Sequence, residues 1–277
     1  MKVVFLGSSS YVVPVIEELK RKFEIEFVVT TEKENGTVPK FCVDSGLPYL
    51  STQNFSNSEF NSKFLTINSD VAILADFGLI LPSSILNKFK YGILNIHPSL
   101  LPKYRGPTPV QNAILSNERE TGVSVIKLDE KMDHGPVLAQ ETIGIRSDET
   151  SEDLYRKLFP LGARLVADNL EKYISGELKT VPQDHSKATY TKLLKREDGF
   201  FDLDNPPSIE KLNLMTRAYF PWPGAWCNCR IQNSEFRIVK FLPGKRIQVE
   251  GKKPVSYKDF INGYPDIDKK LLELLKN

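Results

Sequence analysis

The opening hundred residues alternate short apolar runs with stretches of helical spacing, and this alternation constrains the fold more than any other feature. Residues 2–6, 24–30, 71–75 and 93–97 are rich in Val, Ile, Leu and Phe. Runs this short, with little polar alternation, read as strands buried on both faces. Between the first two, residues 11–22 set Val13, Ile16 and Leu19 on one helical face and Glu18, Lys20, Arg21 and Lys22 on the polar side. Residues 40–45 read as a second helix, stopped by Gly46. Strand, helix and strand repeated in this way imply right-handed crossovers. The expected class is therefore α/β, a Rossmann-like, mostly parallel sheet with helices on both faces. Residues 121–128 alternate well and add a further strand, and 137–145 another at the sheet edge.

Thr150-Ser151-Glu152-Asp153 then starts a long helix, because a hydroxyl cap and early acids satisfy orphan amides and suit the helix dipole. Leu154, Leu158, Leu161, Leu165, Ala167 and Leu170 form its apolar stripe, and Gly176 ends it. Residues 177–199 have no periodicity and read as a linker laid over a surface. A helix at 209–219 and a turn at 220–226 follow. Alternating segments at 227–231, 236–241 and 246–250 then predict a small antiparallel β unit. The expected division is a first domain at 1–176, the linker at 177–199 and a second domain at 200–277.

Charge is uneven along the chain. Residues 230–277 carry eleven Lys and Arg against six Asp and Glu, a net +5 in a chain whose total is +2. A basic segment of this kind fits a polyanionic partner such as nucleic acid. The three cysteines, Cys42, Cys227 and Cys229, form an odd set in a chain without an evident secretion signal, which implies reduced thiols and a cytoplasmic location. Cys227 and Cys229 share a strand face as small apolar residues, and three histidines with no second cysteine pair make a metal site unexpected. No apolar stretch approaches the roughly 20 residues of a membrane span. Gly7 is not followed by G-x-G-x-x-G, so nothing supports a nicotinamide cofactor.

Chemistry concentrates in two stretches. The first runs Asn95-Ile96-His97-Pro98-Ser99-Leu100-Leu101-Pro102, with Arg105-Gly106-Pro107 after it. Asn95 and His97 lie at the carboxyl end of a predicted parallel strand, where open α/β sheets bind ligands. Their i, i+2 spacing aims both side chains one way. An amide can donate to a developing oxyanion, and an imidazole can exchange a proton near neutrality. A lone histidine at a strand end is ordinarily a satisfied structural residue, but the prolines behind this one argue for a shaped loop. The second stretch, Asp129-Glu130-Lys131-Met132-Asp133-His134-Gly135, follows another buried strand and is expected to emerge at the same sheet edge. A carboxylate there could orient His97 and stabilise its charged form. Taken alone, Asp before Gly is a common turn residue.

These motifs resemble those of the formyltransferases that use 10-formyltetrahydrofolate. Asn95-x-His97, Ser99-Leu100-Leu101-Pro102, Arg105-Gly106 and Met132-Asp133-x-Gly135-Pro136 carry the likeness. Residues 1–19, Asp76-Phe77-Gly78-Leu79-Ile80-Leu81-Pro82, Ala188-Thr189-Tyr190 and 195–199 extend it over nearly all of 1–226. The resemblance implies that Asn95, His97 and Asp133 are the catalytic trio. It implies folate contacts from Phe77, Gly78, Leu79, Ile80, Ser99, Leu100, Leu101, Pro102 and Asp129, and a cis Leu101–Pro102 bond. Direct attack by a neutral amine on the formyl carbon would then need no covalent enzyme intermediate and no metal.

Trp222-Pro223-Gly224-Ala225-Trp226 is shared by members acting on methionyl-tRNA and by members acting on amino sugars. Residues 251–264 resemble the closing element of the OB-type barrel in the tRNA-directed branch, so initiator methionyl-tRNA is the implied acceptor and a monomer the expected form. The family's basic, glycine-rich loop after the second strand is replaced here by short, nearly neutral residues 31–37, and the barrel region is short. Both departures point to the alternative acceptor, an amino sugar carried on a nucleotide. A non-catalytic RNA- or nucleotide-binding protein is the rival from another class.

Overall fold

The computed structural model describes residues 1–231, 235–265 and 267–276. Two compact units emerge. One comprises Met1–Gly106, Glu120–Ile143 and Tyr155–Tyr190; the other Pro107–Arg119, Gly144–Leu154 and Thr191–Asn277.

Among the described residues the first unit is built on seven strands: β1 (Lys2–Gly7), β2 (Glu24–Thr30), β3 (Tyr49–Ser51), β4 (Ala72–Ala75), β5 (Ile93–His97), β6 (Glu120–Lys127) and β7 (Val137–Gly144). They stand in the order β3-β2-β1-β4-β5-β6-β7. Neighbouring pairs from β3 to β5 run parallel. The apolar runs read from sequence are these strands: Val3, Val4, Phe5 and Leu6 are fully buried, as two-sided burial requires. β6 departs from that pattern. It pairs antiparallel with β5, His97 opposite Ser124 and Leu94 opposite Lys127. Its end therefore lies toward the Ile93 end of β5, not beyond His97 as a parallel strand would place it. β7 takes the sheet edge, as expected.

The helices of this unit are α1 (Val13–Lys20), α2 (Thr37–Asp44), α3 (Ser58–Leu65) and α4 (Ser83–Leu86). Ser10–Val12 is a 3-10 turn where sequence spacing predicted continuous helix from 11, and Pro14 in the first turn accounts for where α1 begins. α2 starts three residues earlier than its periodicity indicated. The Glu32 carboxylate accepts the Val38 N–H at 2.7 Å and supplies the cap from outside the helix. Phe60 and Phe64 of α3 join Val4, Leu6 and Ile93 in a core cluster on one face of the sheet.

After α5 (Pro109–Leu115), which belongs to the second unit, comes α6 (Ser151–Ser175), ended by Gly176 at φ +81°. Gly162 of α6 lies so close to the sheet that a Cβ there would sit 2.2 Å from Ile96 Cγ2. Ile96 thus faces α6, and alternation along β5 sends Asn95 and His97 to the opposite face.

The second unit holds α5, α7 (Ile209–Ala218) and a four-stranded antiparallel sheet of β8 (Ala225–Ile231), β9 (Glu235–Leu242), β10 (Arg246–Val249) and β11 (Val255–Ser256). Residues 251–264 contribute β11 and then α8 (Tyr257–Gly263), which Ser256 caps by accepting the Asp259 N–H. α9 (Lys269–Lys276) buries Leu271, Leu274 and Leu275. Cys227 and Cys229 share the buried face of β8, and Cys42 is buried in α2. Among the described residues no helix is long and apolar enough to cross a membrane, and no His, Cys, Asp and Glu group has metal-binding form.

Candidate active site

Three side chains from two separate chain segments meet on one face of β5. Asn95 and His97 are almost wholly buried, at 7% and 4% exposure. Asn95 Nδ2 donates to Asp133 Oδ1 at 3.2 Å, and His97 Nδ1 stands 3.7 Å from Asp133 Oδ2. The latter is ion-pair range but longer than a hydrogen bond. The backbone N–H of Gly106 donates to Asp133 Oδ2 at 2.7 Å, which fixes the carboxylate against rotation.

The histidine's tautomer follows from its other nitrogen. Nε2 lies 3.0 Å from the carbonyl oxygen of Tyr104, an atom that can only accept. Nε2 therefore carries a hydrogen, and Nδ1 is left to exchange a proton on the side facing Asp133. Asn95 spends one N–H on Asp133 and keeps a second donor for an incoming oxygen.

The antiparallel direction of β6 explains how Asp133 reaches this point. Leu128 N–H bonds to Ile93 O, so the chain leaves β6 low on β5 and must fold back across the face. It does so through a tight reversal in which Lys127 N–H donates to Pro136 O. Gly135 passes so near that a Cβ would lie 1.8 Å from Lys127 O, and Asp133 itself takes φ +45°. A left-handed backbone is tolerable at Asp, and Gly is obligatory at the close approach.

The neighbouring loop is pinned separately. Ser124 Oγ donates to Ser99 O and accepts Leu101 N–H, while Gln140 Nε2 donates to Leu101 O at 2.8 Å. The Leu101–Pro102 bond is cis, as the resemblance implied.

Residues 1–169 match the family model described as formyl transferase. A methionyl-tRNA formyltransferase of Chloroflexus aggregans is 42% identical over 236 residues, spanning 82% of this chain and 76% of the relative. The chain belongs to the formyltransferase family. Another methionyl-tRNA formyltransferase, from Thermodesulfovibrio yellowstonii, is 30% identical over 94% of this chain and 95% of its own. Among solved structures, a 4-N formyltransferase from Francisella tularensis superposes with a TM-score of 0.69 at 18% identity, covering 88% of this chain and 98% of that one. That likeness speaks for the shared fold.

Formyltransferases of this family draw on a formyl-tetrahydrofolate. The segments expected to meet it occupy adjacent positions: 76–82 follows β4 and 98–102 follows β5, neighbouring parallel strands. Phe77 is buried in the core cluster, with Leu79, Leu81 and Leu128 packed partly against it. Gly78 turns at φ +80°, and Ile80 is 93% exposed. Ser83 Oγ donates to Glu130 Oε1 at 3.0 Å, tying this segment to the acidic loop. A turn of open main chain beside leucine side chains suits a flat heteroaromatic ring with edge donors and acceptors. Two expected contacts have internal partners. Ser99 is fully buried and its Oγ donates to Lys103 O, and Asp129 Oδ2 accepts from His134 Nδ1 at 2.7 Å. Leu100 is half-buried against Gly122, where a Cβ would lie 2.4 Å from its Cδ2.

Sequence reasoning missed several residues that hold the site. Tyr104 and Gly106 act through main-chain atoms, which no side-chain pattern advertises. Ser124, Gln140 and Gln183 sit on distant segments. Arg105 was visible as part of Arg105-Gly106, but not that its guanidinium would be 1% exposed. His185 stacks on His134 at 3.9 Å, and its Nδ1 faces Arg105 Nη2 at 2.8 Å. Loss of solvent, then His134 and Arg105, hold the His185 imidazole below its ordinary range.

Proposed function

We propose that this chain transfers the formyl group of 10-formyltetrahydrofolate to the α-amine of initiator methionyl-tRNA. The observation that carries the chemistry is the convergence of Asn95 Nδ2, His97 Nδ1 and one Asp133 carboxylate within 3.7 Å. The acceptor rests on the relatives: those at 38–42% identity are named methionyl-tRNA formyltransferases.

When bound, the folate supplies an activated formyl carbon. The chain's own residues do the rest. The spare N–H of Asn95 donates to the formyl oxygen as it gains charge, and a protonated His97 adds a second donor through Nδ1. Asp133 accepts the proton that the attacking amine loses, directly or through water; as the bond from the formyl carbon to the folate nitrogen breaks, His97 gives its Nδ1 proton to that nitrogen and is reprotonated by Asp133. A free α-amino group titrates near 8, so a useful fraction of the nucleophile is already neutral at physiological pH. Phe77–Ile80, Leu100–Pro102 and Asp129 are the proposed folate contacts, with Ser99 shaping the loop from within. Residues 200–277 are the proposed acceptor-binding domain, with 1–176 catalytic and 177–199 the connection. The protein is proposed to act as a cytoplasmic monomer without a metal.

A second reading keeps the chemistry and changes the amine. The fold is shared with sugar N-formyltransferases, and residues 31–37 are short and nearly neutral, so an amino-sugar nucleotide is the alternative acceptor. One experiment separates them. The protein and 10-formyltetrahydrofolate are incubated with charged initiator tRNA or with an amino-sugar nucleotide, and products are read by mass spectrometry. Formyl-methionine on tRNA alone is expected; formylation of the sugar alone reverses the assignment.

A further inference from the structure

We infer that Gln183 is a positioning residue for this site, and that Arg105 holds it in place. The inference rests on the assignment of Asn95, His97 and Asp133 above and concerns what keeps them in register.

A primary amide can make four strong hydrogen bonds, two given and two accepted. Gln183 makes all four, and each goes to a segment bearing on the site. Its Nε2 donates to the carbonyls of Asp133 (2.9 Å) and Gly135 (2.7 Å), on either side of His134. Its Oε1 accepts from Arg105 Nε (3.2 Å) and Nη2 (2.7 Å). Arg105 lies between the two main-chain groups that hold the catalytic side chains: Tyr104 C=O, the partner of His97 Nε2, and Gly106 N–H, the partner of Asp133 Oδ2. One amide thus clamps the loop that carries Asp133 to the loop that orients both Asp133 and His97.

The clamp is selective for its side-chain chemistry. The Asp133 backbone is in the left-handed region at φ +45°, a conformation that persists only where surroundings determine it, and Gln183 holds its carbonyl. A carboxylate at 183 would satisfy Arg105 but set oxygen against both carbonyls. An apolar residue would leave the guanidinium without this acceptor and the carbonyls without this donor. Arg105 has additional support from the same strap: its N–H donates to Thr189 O (2.9 Å) and its Nη1 to the Tyr190 hydroxyl (3.1 Å). The 183–190 strap therefore does more than connect: through Gln183 it reaches the Asp133 loop.

The test uses the full-length protein. Gln183→Glu, Gln183→Met and Tyr190→Phe are compared with wild type for kcat, KM for both substrates, the pH profile of kcat and the thermal midpoint. A displacement of about 1 Å at reacting groups costs on the order of 100-fold. Both Gln183 variants are expected to lose roughly 10- to 100-fold in kcat, with KM within about twofold and a displaced pH profile. Tyr190→Phe, which leaves every Gln183 bond in place, is expected to keep kcat within about twofold. If either folded Gln183 variant turns over at the wild-type rate with an unchanged profile, or if Tyr190→Phe loses as much as they do, Gln183 has no positioning role. Should both Gln183 variants fail to fold while Tyr190→Phe folds and is active, Gln183 is structural and the inference is likewise overturned. Asp133→Ala is run alongside: activity there refutes the catalytic assignment itself, an outcome distinct from any at position 183.

Discussion

Substituting alanine at Gly162 tests whether the sheet's rigid packing sets the catalytic geometry. The added methyl would lie 2.2 Å from Ile96 Cγ2 and 2.8 Å from Val123 Cγ2, where ordinary contact begins at 3.4 Å. Helix and strand must therefore part by about 1.2 Å at Ile96, because close-packed interiors have no slack to absorb the group. Overpacking of this kind costs about 1–3 kcal/mol, against which the better helix propensity of alanine returns about 1 kcal/mol. The net loss of stability is thus about 0–2 kcal/mol, with the fold retained. Ile96 lies between Asn95 and His97, so its displacement moves both, and a shift of about 1 Å at reacting groups costs on the order of 100-fold in rate. Activity should suffer more than stability. Urea midpoints and initial rates of formyl transfer, measured on the same preparation, check this. A Gly162→Ala protein with an unchanged kcat and a raised midpoint would show that α6 moves independently of β5, and the packing argument would fail.

Asn95→Ala removes the proposed oxyanion donor without enlarging a core cavity much, and should lower kcat by about 100- to 1000-fold with an unchanged melting curve; wild-type turnover would refute the role. Glu32→Ala deletes the carboxylate that caps α2 through Val38 N–H and should destabilise the fold by about 1 kcal/mol, read as a lower urea midpoint, while kcat is unaffected. Burial pushes the Cys42 and Cys229 thiols up to about 11, and Cys227 is raised as well. Free thiols ionise near 8.5, so the folded state holds these protons longer than the unfolded state does. The stabilisation is complete below about pH 8.5 and is lost as pH rises through about 11. The urea midpoint should fall across that window, less steeply in Cys42→Ala, and an equal slope in the two proteins would contradict the burial argument.

The strands of the first unit were legible because two-sided burial demands apolar runs: β1 and β4 have unbroken ones, β2 has Phe27-Val28-Val29, and β5 is apolar but for Asn95 and His97. The long helix was legible for a similar reason: its stripe repeats over many turns, and its ends at Ser151 and Gly176 carry local chemistry. Short elements escaped. β3 is three residues and α4 four, too brief for any period to declare itself. The start of α2 was misjudged because its cap comes from Glu32, outside the helix. The direction of β6 was unreadable in principle, since a strand's periodicity is the same whichever way it runs.

The same division runs through the site. Asn95 and His97 are two residues apart on one strand, so their convergence is a local consequence of strand geometry and could be argued from sequence. The residue types that do proton and oxyanion chemistry were likewise present in the chain as written. What tertiary structure decided was the meeting of Asp133 with them across 36 residues of sequence from His97, along a loop that folds back because β6 is antiparallel. It also decided the tautomer of His97, through a carbonyl at Tyr104, and the clamp at Gln183, which spans 50 residues to Asp133. Periodicity and short-range spacing report on neighbours along the chain; hydrogen bonds between distant loops depend on where folding brings their main-chain atoms, and no local pattern encodes that.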